Sequence, residues 1–386
     1  MVGVARVAKT DAHDPGVEVA RRRAEVGGDA GRTPIKVGKG EARFGTASWT
    51  DPTMTAPGVF YPKGVSTAEE RLRFYASQFP VVEVDSTYYA LPYKKTAESW
   101  IERTPGSFVF DIKAHALMTG QPTEVARLPK AIREELSSEL TGKKRIYRKH
   151  MPAELLDAVY MQFREALEPL IEAGKLGAVF VQFPKWVFPS NEARELILET
   201  RQRLDLPIAV EFRHGSWFNE KNAERTVKFL QDNKIPYVAV DEPQGFKSSV
   251  PPVVIQTNGE LAVFRFHGRN KENWEKKDIA PSERFRYLYD EDELADWTPK
   301  IVTVARQTKQ THVIYNNCFS NYGTTNAREA ARLLAEMQPL RPAPPDTSPH
   351  VGRSYLPRMG GRMAARSRPH RWRDGWPRRW ASTLLR

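Results

Sequence analysis

Two rhythms of apolar positions alternate along most of the chain. Short runs rich in β-branched and aromatic residues, the pattern of strands, occur at "RFGTAS" (43–48), "VVEVD" (81–85), "FVFDIK" (108–113), "GAVFVQF" (177–183), "PIAVEF" (207–212), "PYVAV" (236–240), "LAVFRFH" (261–267) and "THVIY" (311–315). Between most of them the apolar residues take helical spacing. The first such stretch opens at Ser66 with Glu69 three residues on, which reads as a capping box, and continues with Leu72, Tyr75, Ala76 and Phe79 on one face. The stretch 152–173 repeats the pattern with Leu156, Val159, Phe163, Leu167 and Leu170, and further helices are predicted at 190–203, 219–233, 282–308 and 326–337. Two segments break the alternation: a long excursion from about 116 to 151, and a Pro/Gly-rich loop at 242–260 where a helix is due.

Eight strands joined mainly by helices predict a (β/α)8 TIM-type barrel over residues 41–338. The rival, a doubly wound open sheet, lacks any G-x-G-x-x-G or G-x-x-x-x-G-K-[ST] after the first strand. Side chains alternate inward and outward along a barrel strand, and the strands' C-terminal ends form the mouth where barrel enzymes carry their sites. Polar residues gather at those ends. Glu83 and Asp85 end the second strand, Asp111 and Lys113 the third, Gln182 the fourth and Glu211 with Arg213 the fifth. Asp241 ends the sixth, Arg265, His267 and Arg269 the seventh, and Asn316 with Asn317 the eighth.

These residue types suggest a division of labour. Glu211, His267, Asp241 and Glu83 are the candidates for proton transfer, with Glu211 and His267 preferred. Lys113, Arg213, Arg265 and Arg269 would hold a phosphate or carboxylate on the substrate, helped by Gln182, Asn316 and Asn317. Trp49, Tyr88 and Trp217 would stack on a sugar or base, or pack the rim. The same carboxylates and His267 also suit a divalent metal, but the four cations compete for them. No metal or other cofactor is therefore predicted.

Charge changes the picture only at the ends. The chain carries a formal net charge of +12, yet residues 1–40 hold eight Lys/Arg against five Asp/Glu, and residues 339–386 eleven against two; of the 59 basic and 47 acidic residues this leaves forty of each between them. Both ends are rich in Gly, Pro and Arg without apolar periodicity and read as disordered: an extension over 1–40 and an Arg/Pro/Trp-rich tail over 339–386. Arg interleaved with Trp372, Trp376 and Trp380 could hold RNA or an anionic surface weakly; an unselected extension or a reading-frame artefact is the plainer alternative. No membrane span or signal peptide is apparent, and Cys318, the only cysteine, excludes an internal disulfide, so a cytoplasmic location is expected.

The ordered set "FGTASW", "FYP", "VEVDSTYY", "FDIKAH", "VQFP", "VEFRHGSWF", "FRFHGR" and "YNNCFSNYGTTNA" resembles the domain of unknown function 72 family, also called YecE-like, over about 43–337. The resemblance implies a (β/α)8-type fold and a bacterial or archaeal protein, and supplies no reaction. It covers neither tail and leaves the basic "GKKRIYRKH" at 142–150 unexplained. Three function classes follow: an acid/base lyase, isomerase or hydrolase acting on a small anionic, sugar-containing compound; a metal-dependent phosphodiesterase on nucleic acid; and a non-catalytic ligand-binding or RNA-associated protein.

Overall fold

Eight parallel strands close into a barrel in the computed structural model, which describes residues 14–337. They are β1 (Gly40–Ala47), β2 (Val81–Val84), β3 (Val109–Lys113), β4 (Leu176–Gln182), β5 (Ile208–Glu211), β6 (Val238–Asp241), β7 (Leu261–Phe266) and β8 (Gln310–Tyr315). Hydrogen bonding runs in the order β5-β4-β3-β2-β1-β8-β7-β6. The seam between β5 and β6 is closed by the parallel bridge Val210–Tyr237, with Val210 N–H donating to Pro236 O at 2.9 Å. The outward faces of these strands are apolar because helices cover them, while packed side chains, several of them charged, fill the inside.

The longer helices are α1 (Pro15–Gly27), α2 (Ala68–Gln78), α3 (Lys94–Glu102), α4 (Ala153–Glu172), α5 (Asn191–Leu204), α6 (Ala223–Asp232), α7 (Glu291–Ala305) and α8 (Tyr322–Met337). The face predicted for 152–173 is the one α4 buries, with Leu156, Val159, Phe163, Leu167 and Leu170 all in the core. The capping box of α2 sits one residue later than expected: Thr67 accepts from Glu70 N–H, and the Glu70 carboxylate accepts from the Thr67 and Ser66 amides. The helix predicted at 282–308 breaks in two, Pro281–Arg284 and α7, because Asp290 caps a new start and Tyr289 turns into the core, its hydroxyl accepting from Gly268 N–H at 2.9 Å. As expected, 242–260 carries no helix.

Residues 15–37 correct the expectation of a disordered N-terminal extension. Asp14 caps α1, Pro15 occupies its first position, and Val17 and Ala20 are buried. Thr325 of α8 and Asn321 just before it donate to the carbonyls of Ala20 and Val17, and Arg23 forks onto Glu329 at 2.6 and 2.7 Å. Strand Ile35–Val37 then pairs antiparallel with β1. The apolar stripe of α1 is only two small side chains wide, so "RRRAEVGG" hides it. The predicted tail over 339–386 and residues 1–13 lie outside the described residues. Among those described, no helix is long and apolar enough to cross a membrane.

Below the mouth, Asp111 of β3 accepts from His312 Nδ1 of β8 at 2.9 and 3.0 Å, both side chains fully buried. Asp111 thus belongs to a deeper layer than its neighbour Lys113. The pair fits because β4 supplies Gly177: a Cβ there would stand 2.3 Å from Asp111 Oδ1 and 2.9 Å from His312 Cε1. Gly177→Ala is therefore expected to cost about 1–3 kcal/mol of stability, read from the urea midpoint; an unchanged midpoint would mean that this layer is loosely packed.

Candidate functional site

Strand pairing fixes which side chains enter the barrel. Arg265 of β7 is in register with Val240 and Ile314, while its neighbours Phe264 and Phe266 face outward against Trp297 of α7. Likewise Gln182 is in register with Glu211. The inward set builds a floor around one guanidinium. Arg265 Nε and Nη2 donate to the two oxygens of Glu83 at 2.6 and 2.7 Å, and Nη1 donates to Glu211 Oε2 at 2.9 Å. None of the three side chains is more than 2% exposed. Glu211 Oε1 also accepts from Gln182 at 2.8 Å and Arg213 at 3.2 Å. Burial opposes the charge of Glu211, but Arg265 and Arg213 hold its carboxyl well below the usual range. A buried ion cluster of this kind is tolerable only because each charge meets a partner.

His267 stands beside it. Its Nε2 lies 2.9 Å from Arg213 Nη1 and 3.2 Å from Glu211 Oε1, and its Nδ1 lies 2.9 Å from the Asn316 side-chain amide. A guanidinium can only donate, so Nε2 is the acceptor and Nδ1 carries the proton, which turns the Asn316 oxygen toward it. Burial and then Arg213 push the imidazole down to about 3, so the ring is neutral. Trp274 and Phe285 cover it.

Above this floor lies a tier that reaches solvent. Lys113 donates to Asp85 at 3.3 Å, the two side chains 16% and 28% exposed, and its ammonium lies 5.3 Å from the centre of the Tyr88 ring. Arg213, 20% exposed, stacks over Trp274 at 5.1 Å and extends Nη2 to within 3.6 Å of Glu242 Oε2. That oxygen is buried without a hydrogen-bond donor among the described residues. Burial pushes the Glu242 carboxyl up. Burial also pushes Glu83 up against the pull of Arg265, with Asp85 adding to the rise. Asp85 itself is held low despite its burial, by Lys113 and Arg265.

Of the predicted residues, Glu83, Glu211, Arg213, Arg265, His267, Lys113, Gln182, Asn316 and Tyr88 converge on the mouth. Five do not. Asp241 faces outward, because Val240 takes the inward parity beside Arg265; it accepts from Trp297 Nε1 at 2.6 Å and from a fork of Arg269. Arg269 spends its remaining arm on Glu293 at 2.8 Å, which removes it from the substrate side. Asn317 follows the outward Tyr315 and donates to Tyr287 O and Asn326. Trp217 is fully buried, stacked on Phe212 and donating to Val187 O. Trp49 packs edge-on against Trp100 of α3. Sequence reasoning missed Glu242 and Trp274. The first was legible from parity, one residue past Asp241; the second was a lone Trp in the charged loop "NKENWEKKD".

Among the described residues no group of three or more His, Cys, Asp and Glu is placed to hold a metal ion. A cavity of about 570 Å³ opens at the opposite end of the barrel, where Pro207, Pro236 and Gln310 begin or precede their strands. Of its cations, Lys309 pairs with Glu260 and Arg201 donates to Asn233 O.

Comparison with known proteins agrees with this architecture. The sequence profile of the family described as "Protein of unknown function DUF72" matches residues 43–349. The Bacillus subtilis (strain 168) UPF0759 protein YunF is 30% identical over 295 residues, 75% of this chain and 94% of that protein. Among solved structures, a DUF72 family protein from Enterococcus faecalis V583 is 28% identical with a TM-score of 0.61, covering 76% of this chain and 95% of that one. A DUF72 family protein from Thermotoga maritima MSB8 is also 28% identical, with a TM-score of 0.60, covering 76% and 98%. Helix α1 precedes the matched region.

Proposed function

The chain belongs to the DUF72 family, and from that premise we propose that the barrel mouth is the active site of an enzyme acting by acid/base chemistry on a small phosphate- or carboxylate-bearing compound with a sugar-sized body. The observation that carries the reading is the split of the polar cluster into two tiers. Glu83, Glu211, Arg265 and His267 are sealed and mutually satisfied, whereas Lys113, Asp85 and Arg213 reach solvent directly above them.

Lys113 and Arg213 grip the anion, since each keeps donor capacity that its carboxylate neighbours do not use. Tyr88 and Trp274 carry these cations on their rings and fix where they point. Asp85, held ionised, takes a proton from the substrate; Glu83, sealed beneath it with both oxygens on Arg265, holds that guanidinium in place. His267 and Glu211 act as positioning residues for Arg213, because a ring held at about 3 and a carboxylate with its oxygens occupied are poor bases.

Titration calorimetry with inorganic phosphate, ribose 5-phosphate and gluconate tests this. Lys113→Met should weaken binding of the best ligand by about 10- to 100-fold, the effect of removing one charge-assisted hydrogen bond. Asp85→Asn should leave binding within a few-fold and abolish turnover. Binding untouched by Lys113→Met would sink the site, and a ligand bound at Lys113 without chemical change would leave a binding protein in place of an enzyme.

A further inference from the structure

The mouth reading leaves one sequence feature unused, the basic excursion at 116–151. In the structure it meets a second feature. Five aromatic side chains are strongly exposed among the described residues: Tyr89, Tyr93, Tyr147, Trp186 and Phe188, from 39% to 64%. All five lie in the three consecutive connections that follow β2, β3 and β4, hence on the mouth side of one sector of the barrel. Aromatic rings exposed at random would be spread over both ends and all eight connections.

Charge is gathered in the same sector. Residues 116–151 carry eight Lys/Arg against four Glu, an excess that the neutral sum over the whole barrel conceals. Some of these cations are spoken for: Arg148 pairs with Glu199, and Arg127 and Arg145 share Glu124. Lys144 and Lys149 are exposed and have no ion-pair partner among the described residues. A groove of about 320 Å³ runs between the two sets of features, lined by Tyr88, Tyr89, Thr123, Glu124, Arg127 and Arg145. Tyr88 borders this groove and also holds Lys113 of the mouth, so groove and mouth adjoin.

We propose that this sector of the rim binds single-stranded nucleic acid, bases stacking on the exposed rings and phosphates passing along the basic excursion. Rings alone would equally suit an oligosaccharide, but a neutral sugar polymer has no use for unpaired lysines. A strand of stacked bases joined by phosphates needs both, at alternating positions. The flat faces of Trp186 and Tyr147 accept any base, so the surface selects for single strands and not for sequence. The proposal stands on the rim and does not depend on what the mouth binds.

The test uses the full chain, with both tails present in every variant. Fluorescence anisotropy would follow a labelled oligouridylate of about twelve nucleotides, within the usual range of single-strand sites. The double variant Lys144→Glu/Lys149→Glu should weaken binding at least tenfold and lower the log–log salt slope by about 1–2, roughly 0.7 for each phosphate no longer neutralised. Tyr89→Ala/Trp186→Ala should weaken it by a similar factor with the slope unchanged. A matched charge reversal at the other end, Lys39→Glu/Lys309→Glu, should stay within about twofold. Equal losses from both charge reversals would mean that the tails and net charge do the binding, and the proposal falls. It falls too if neither rim variant matters, or if oligosaccharide binding, and not oligouridylate binding, responds to the aromatic pair.

Discussion

Arg265→Met is expected to destabilise the protein by about 3–5 kcal/mol, the cost of removing one partner from a buried ion cluster. Three hydrogen bonds at 2.6 to 2.9 Å disappear at once, and Glu83 and Glu211 are left as neighbouring carboxylates with little access to water. Methionine fills part of the volume, so the loss is electrostatic in the main. The pH dependence identifies it. In the variant both carboxyls bind protons more readily folded than unfolded, so the deficit shrinks as pH falls toward the ordinary Glu value of about 4.3 and grows as pH rises above it. Urea midpoints of wild type and variant at several pH values measure this. A constant deficit would mean that Arg265 contributes packing and that the floor is not charged.

Phe212→Ala is expected to cost a similar amount, about 3–5 kcal/mol, for a different reason. Phe212 is fully buried on the outer side of the barrel, stacked 4.1 Å from Trp217 and close to Phe218 and Tyr237. Truncation opens a cavity that three large rings cannot fill. The same cavity adjoins Tyr237, whose bridge to Val210 closes the β5–β6 seam. Amide exchange at Val210 should accelerate more than at Val181, inside the longer pairing of β4 with β5. A loss under about 1 kcal/mol, or uniform acceleration across the sheet, would show that the seam does not depend on this cluster.

The barrel was legible because each strand announces itself within four to eight residues and its polar end marks the mouth. The site was legible where parity was followed. Glu83, Glu211, Arg213, Arg265 and His267 share the inward phase of their strands, and they meet. Asp241 has the charge but lies out of the phase set by Val238 and Val240, and the inward acid is Glu242. Asn317 stands next to Asn316 in the chain, but one residue reverses the face. The tryptophans Trp49 and Trp217 follow the strands in tight turns, where no periodicity says which way a ring points. Roles were less legible than positions. Sequence alone could not tell that three donors surround Glu211 and that burial disables His267, since the first depends on Gln182 and Arg265 arriving from other strands and the second on Arg213. The short stripe of α1 was hidden for a simpler reason: its partners, Asn321, Thr325 and Glu329, lie some 300 residues away in the chain.

The central claim is that ligand charge is met by the exposed tier above the sealed floor. A crystal structure of the full chain with ribose 5-phosphate tests it most directly. The phosphate should lie within hydrogen-bond distance of Lys113 Nζ and Arg213, with the sugar hydroxyls facing Asp85, and with the Glu83–Arg265–Glu211 bonds unchanged. Ligand seated instead in the cavity at the opposite end of the barrel, among Arg201, Lys234 and Lys309, would contradict the account.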